Sequence, residues 1–291
     1  MIKYFLIFLF SFSFCYSQNY VEEQQTIPFE LSPNGHIIVT ADVNGVQGNF
    51  IFDTGAGMHL LTKDFADKVN GLEKTSHFHT GYRATGEKIV VDLWQTKQIE
   101  WGGFIDKAAI TGVYDIDFPI AGLLSLTAFK DRAITIDFEE NVLHIDSKES
   151  LENRKKQADF QLPLYVKNDM GVEISIGTMI RLNDDLDLRV GLDSGAGFDV
   201  FRFNSRYMDR VVEDSAQVES FTRASSFNPE MSNTYHSVQL SSLSDSNENV
   251  KFKNFKATFI DDLLYEGIMS IKWIGEVITI DMAGKKLWVN D

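Results

Sequence analysis

The sequence predicts an all-β chain built as two similar lobes. Three observations carry that expectation. Strand-type alternation dominates from Thr26 onward, the turn Asp53-Thr54-Gly55-Ala56-Gly57 returns as Asp193-Ser194-Gly195-Ala196-Gly197, and each copy is followed by the same landmarks. Arg83-Ala84-Thr85 reappears as Arg223-Ala224-Ser225. Gly122-Leu123-Leu124-Ser125-Leu126 reappears as Gly267-Ile268-Met269-Ser270-Ile271. The run Ala133-Ile134-Thr135-Ile136-Asp137-Phe138 has its partner in Val277-Ile278-Thr279-Ile280-Asp281-Met282. These repeats read as an internal duplication with one Asp turn per copy.

In chain order, Lys3 followed by the apolar residues 4–14 and by Cys15-Tyr16-Ser17 reads as a secretory signal peptide, residues 1–17, cut before Gln18. Its rival is a lipoprotein anchored through Cys15. The first lobe is placed at 18–146. Its strands around Ile27 and from His36 to Val43 lead through the Asn44-Gly45 turn into the strand that delivers Asp53. Thr62 is placed as the N-cap of a short helix whose Phe65, Ala66 and Val69 share one face. Residues 81–86 read as a hairpin tip, and the Thr135 run and residues 142–145 as a closing hairpin. The charged stretch 147–159 reads as the linker. The second lobe, 160–291, repeats the plan, with the Ser-, Asp- and Asn-rich residues 240–250 expected as a loop.

Forty-two acidic against 27 basic residues give a net charge of −15, and −16 once Lys3 is removed with the leader. That balance argues against nucleic acid and anionic lipid as partners. Cys15 is the only cysteine, so cleavage leaves no disulfide, thiolate metal ligand or thiol nucleophile. His77-x-His79 puts two imidazoles on one face of an extended segment, but no third ligand is near in sequence, so an exposed polar stretch is expected and neither metal nor cofactor. Trp94, Trp101, Trp273 and Trp288 sit in apolar contexts that suit core packing.

A strand ending in Asp-Thr/Ser-Gly-Ala, then an apolar pair beside glycine, then a Thr-Ile-Asp strand, resembles one lobe of the retropepsin/pepsin-like aspartic peptidases, and most of all the bacterial exported proteins with two retropepsin-like repeats. The resemblance covers nearly all of the mature chain. It implies a small β-barrel per lobe, an interlobe cleft under a flap, a monomer acting as an intramolecular pseudo-dimer, and a peptide or protein substrate cut without a cofactor. It assigns Asp53 and Asp193 as the catalytic aspartates. Thr54 and Ser194 become hydroxyls that bond across to the opposite turn, and Gly55 and Gly195 the glycines whose amides hold the carboxylates. Tyr82 is then a candidate flap residue. Arg83 and Arg223 are candidate cleft residues, with solvated or lobe-bridging roles as the alternative.

Two departures from the family pattern occur in both copies. Gly57 and Gly197 stand where a hydroxyl residue is usual, and Ser125 and Ser270 where glycine is usual. The pairing suggests a compensating exchange, with the serines on strand-to-helix turns supplying the bond to the Asp turns that the glycines cannot. The alternative is a peptide-binding protein of the same fold without catalysis. A remoter one is an actin/Hsp70-like phosphate binder, which also uses duplicated Asp-x-Gly turns but needs long helices and ATP.

Overall fold

The computed structural model describes residues 23–212, 215–225 and 228–290. The leader expected at 1–17, with Cys15, lies outside them. The chain is all-β: three sheets hold nearly every element, and the longest helix, Lys148–Gln157, falls in the stretch expected as a linker. That composition rules out an actin/Hsp70-like fold. Among the described residues no helix is long and apolar enough to cross a membrane.

Each half has a sheet of its own around one repeated arrangement. In the first, strand Val46–Phe52 runs parallel to Gly122–Leu124, which lies antiparallel to His59–Thr62. In the second, Leu186–Leu192 runs parallel to Gly267–Met269, which lies antiparallel to Phe201–Asn204. A parallel pair buried on both faces needs apolar residues throughout, and Phe50, Phe52, Leu124, Leu192 and Met269 are all fully buried or nearly so. Phe52 packs its ring on Trp101 and Phe129 at centroid distances of 6.1 and 6.2 Å. Phe203 meets Phe259 at 5.7 Å in the second half.

The second sheet closes on itself, because Glu173–Leu182 pairs with Leu186–Leu192 on one side and with Ser232–Asp245 on the other. This corrects the loop expected at 240–250. Its first half is strand, with Ser242, Leu243, Ser244 and Asp245 all buried at the closure. Small hydroxyl residues fit there because the strands cross tightly. Asp245 then caps the following turn, accepting from the amides of Asn247 and Val250, each at 2.9 Å.

The third sheet is shared. Its six strands run Gln25–Pro28, Val142–Ile145, Ile134–Asp137, Val277–Asp281, Lys286–Asn290 and Phe160–Pro163. At its centre Thr135 lies opposite Thr279, with Ile134 opposite Ile280 and Ile136 opposite Ile278. Equivalent residues of the two sequence repeats therefore face each other across a local twofold axis. The Thr135 and Thr279 hydroxyls bond at 2.7 Å on that axis, and Asp146 accepts from Thr135 at 2.6 Å. The aspartates of the two Thr-Ile-Asp runs cap their hairpins alike, Asp137 accepting from Glu140 N–H at 2.9 Å and Asp281 from Gly284 N–H at 2.8 Å.

Candidate active site

The two Asp turns meet. Each aspartate leaves its strand with its amide bonded to the parallel neighbour, Asp53 to Leu124 O and Asp193 to Met269 O, both at 2.9 Å. The next residues then exchange four hydrogen bonds. Thr54 N–H donates to Ser194 Oγ at 3.0 Å and Ser194 N–H to Thr54 Oγ1 at 3.0 Å. The Thr54 hydroxyl donates to Leu192 O and the Ser194 hydroxyl to Phe52 O, both at 2.8 Å. Thr54 and Ser194 are 0% and 3% exposed, so no water could replace these bonds. A hydroxyl that both accepts and donates is required at each position, which is why Thr or Ser stands there.

That exchange holds the two carboxylates within hydrogen-bonding reach of each other. Asp53 Oδ1 accepts from Gly55 N–H at 2.8 Å and Ala56 N–H at 3.0 Å. Glycine is needed at 55 and 195 for room: a Cβ on Gly195 would lie 2.3 Å from Asp53 Cγ, and one on Gly55 2.6 Å from Asp193 Cγ. The carboxyls differ in environment. Burial raises both above the ordinary carboxylate range. For Asp193 the charge and hydrogen bond of Asp53 push further the same way, and its pKa stands well above the ordinary value. For Asp53 the bond with Asp193 and the amides of Gly55, Ala56 and Gly195 offset part of the burial. The pair therefore titrates as a unit and holds one proton more firmly than free carboxylates do.

The serines are placed behind these turns but bond elsewhere. Ser125 Oγ meets Thr127 Oγ1 at 2.8 Å and accepts from Thr127 N–H, and Ser270 Oγ accepts from Lys272 N–H at 3.4 Å. Both hydroxyls cap the first turn of a 3-10 helix, Leu126–Phe129 and Ile271–Ile274. The bond to the Asp turns expected from sequence is replaced by this local one, because the strand-to-helix turn leaves its own amides to be satisfied. A buried pair not foreseen from sequence fixes the Ser125 backbone. Ser125 N–H donates to His59 Nδ1 at 3.0 Å, which leaves the ring proton on Nε2, 3.3 Å from Asp106 Oδ2.

The glycines at 57 and 197 have an interlobe reason. Gly57 O accepts from Ile174 N–H at 2.8 Å, and a Cβ on Gly57 would lie 2.5 Å from Glu173 Cγ. Gly197 has φ +83°, and its Cβ would lie 2.3 Å from the carbonyl oxygen of Asn34, which also accepts from Phe198 N–H at 3.0 Å. Each lobe thus presses on the Asp turn of the other beside these glycines.

Beside the first Asp turn stands a hairpin, Glu73–Tyr82 and Lys88–Gln95, whose Val91 and Leu93 pack on Met58. Tyr82 shares the face of Phe78 and Val90 and is 56% exposed, while Val91 and Leu93 of the opposite face are buried. Strand alternation therefore turns Tyr82 away from the packed face. Arg83 takes the lobe-bridging role, donating to Glu87 Oε1 at 3.0 Å and to Ser225 Oγ of the second lobe at 3.4 Å. Arg223 is exposed on strand Glu219–Ala224.

Other bonds close the tip: Asn233 Nδ2 donates to Thr85 O at 3.2 Å and Leu264 N–H to Ala84 O at 2.9 Å. Glu87, only 2% exposed, is the hub, and Thr85 also donates to it. Burial is the largest influence on its carboxyl and acts upward, but Ser225, Thr85 and Arg83 together hold it below its ordinary value. Its contribution is thus full above the ordinary carboxylate range and is lost as pH falls through the depressed value. Glu87→Gln should speed hydrogen exchange of amides 83–87 at neutral pH. Unchanged protection would assign the closure to the Asn233 and Leu264 bonds alone.

Comparison with known proteins bears on the first lobe. A family model described as "Aspartyl protease" matches residues 39–128, the stretch that holds Asp53, Thr54, Gly55 and Ser125. An uncharacterized protein of Rickettsia prowazekii (strain Madrid E) is 30% identical over 107 residues, which cover 36% of this chain and 46% of that protein. The chain therefore spans about half the length of that relative. Residues 39–128 are similar to the aspartyl protease family, and the all-β fold agrees with that similarity.

Proposed function

We propose that this protein is an aspartic endopeptidase that hydrolyses peptide bonds with a water activated between Asp53 and Asp193. The observation that carries the reading is the reciprocal bonding of the two turns, which keeps two carboxyls within reach of one proton while their environments differ. Such a pair is the known chemical basis of aspartic peptidases. Ionised Asp53 takes a proton from water as its oxygen attacks the scissile carbonyl carbon, and Asp193 donates its proton to the carbonyl oxygen. The resulting diol collapses when Asp193 recovers a proton from one hydroxyl and Asp53 gives its proton to the leaving nitrogen. Water has then been added across the C–N bond, and the pair again holds one proton.

Both aspartates belong to one chain, so the working unit is a monomer. Its substrates are peptides or proteins, and the N-terminal sequence points to an exported enzyme. The test is incubation of the mature protein with a diverse peptide library from acid to neutral pH, read by mass spectrometry. Cleavage at defined bonds is expected. Peptide binding with no new termini at any pH would replace the enzyme with a non-catalytic peptide-binding protein.

A further inference from the structure

The two Asp turns have neighbours of different charge. Beyond the first Asp turn, beside Gly57, stands Glu173, and beyond the second, beside Gly197, stands His36. Glu173 reaches Gly57 from the second lobe because its neighbour Ile174 bonds Gly57 O at 2.8 Å. Its side chain is 28% exposed and lies between the Asp turn and the Glu73–Gln95 hairpin, where His79 Nε2 comes to 3.7 Å. Val172 of the same strand end packs on the cluster of Met58, Val91 and Leu93 under that hairpin. On the peptidase reading, a substrate that extends from the dyad past Gly57 meets this carboxylate.

Glu173 is also chemically open. Its two basic neighbours, His79 and Lys167, stand at 3.7 and 3.9 Å, beyond hydrogen-bond distance, and the Lys167 side chain is 70% exposed. Ion pairs of that kind contribute little and yield readily to a competing cation. Lys167 at the outer edge also demonstrates that an ammonium group is compatible with the site. A carboxylate offers four lone-pair positions, enough for a lysine ammonium or a two-pronged arginine.

We infer that Glu173 is a specificity-determining residue that selects a lysine or arginine side chain at one fixed position from the cut, at the Gly57 end of the cleft. The inference rests on the peptidase reading and deepens it. The pseudo-symmetric end, with His36 in place of a carboxylate, does not share this preference, so the selection is one-sided although the fold is nearly twofold.

The experiment compares wild type, E173Q and E173K on a peptide library varied at every position around the cut. Wild type should enrich Lys and Arg at a single position by about tenfold. E173Q should lose that enrichment, and E173K should replace it with Asp and Glu. No basic preference in wild type, or the same preference in E173Q, overturns the inference while leaving the peptidase intact. A second measurement keeps the two readings apart: calorimetric binding of statine peptides in which one lysine is scanned along the chain. Lysine-dependent affinity lost in E173Q, without cleavage of any library member, would refute the peptidase and support the charge selection. Neither cleavage nor statine binding overturns both. Melting curves identify a variant that fails to fold, in which case E173D, expected to keep a weakened basic preference, takes its place.

Discussion

Asp53→Asn and Asp193→Asn each lower peptide cleavage by about four orders of magnitude or more, and at pH 7 each variant melts at a higher temperature than wild type. The first effect follows from the division of labour: an amide cannot take the proton from water at 53, nor give one to the carbonyl oxygen at 193. The second is less obvious and does not depend on a substrate. Burial raises both carboxyls, Asp193 most, so the folded state holds a proton more firmly than the unfolded chain does. Stability from that proton is full below the ordinary carboxylate value of 3.8 and is lost as pH rises through the elevated range. Each unit of elevation costs about 1.4 kcal/mol at neutral pH. Asparagine is neutral at every pH and is spared that cost. The gap in melting temperature should therefore close as pH is lowered toward 4. Asn variants less stable than wild type at pH 7 would show that the carboxylates are solvated and uncoupled, and the proposed mechanism would lose its basis.

Gly197→Ala is expected to destabilise the fold by about 3 kcal/mol or more, whereas Gly57→Ala costs under about 1 kcal/mol. The two glycines occupy equivalent places in the two turns, but the obstacles differ. At 197 the backbone has φ +83° and ψ −169°, a region open almost only to glycine, and the new methyl meets the rigid carbonyl of Asn34 at 2.3 Å. At 57 the obstacle is the Glu173 side chain, which can rotate away. Urea unfolding of both variants checks the contrast. Equal losses would mean that the Asn34 turn yields as easily as a side chain.

How far the sequence could be read follows from these same residues. The Asp turns and their landmarks were legible because each is a contiguous string whose local geometry recurs: an apolar strand, a hydroxyl that must both give and take, a glycine pressed against a carboxylate. The paired departures at 57, 125, 197 and 270 were legible too, but not their cause. Gly57 answers to Glu173 and Gly197 to Asn34, partners far away in the chain that only tertiary folding brings near. Sequence alone pairs the serines with the Asp turns, yet they cap the helices that start at the next residue, a competing demand stated by their own neighbours. Residues 240–250 misled for a different reason. Serine there is a matter of size at a tight strand crossing, and composition alone registers only its polarity. Glu87, buried at the hairpin tip, gave no signal beyond its spacing from Arg83.

The shared six-stranded sheet sets a timetable. Strand Val277–Asp281 lies at its centre, between Ile134–Asp137 and Lys286–Asn290, so the two lobes cannot be locked in register until that stretch exists. At about 5–20 residues per second of synthesis, Asp53 emerges roughly ten to fifty seconds before residue 281. Pairing across so long a span is also slow once the chain is complete. Throughout that interval each aspartate is present without its counterpart held beside it, and neither can share a proton with the other. On the proposed reading, a chain assembled in this order stays latent while it is being made. Its activation is the completion of its own fold.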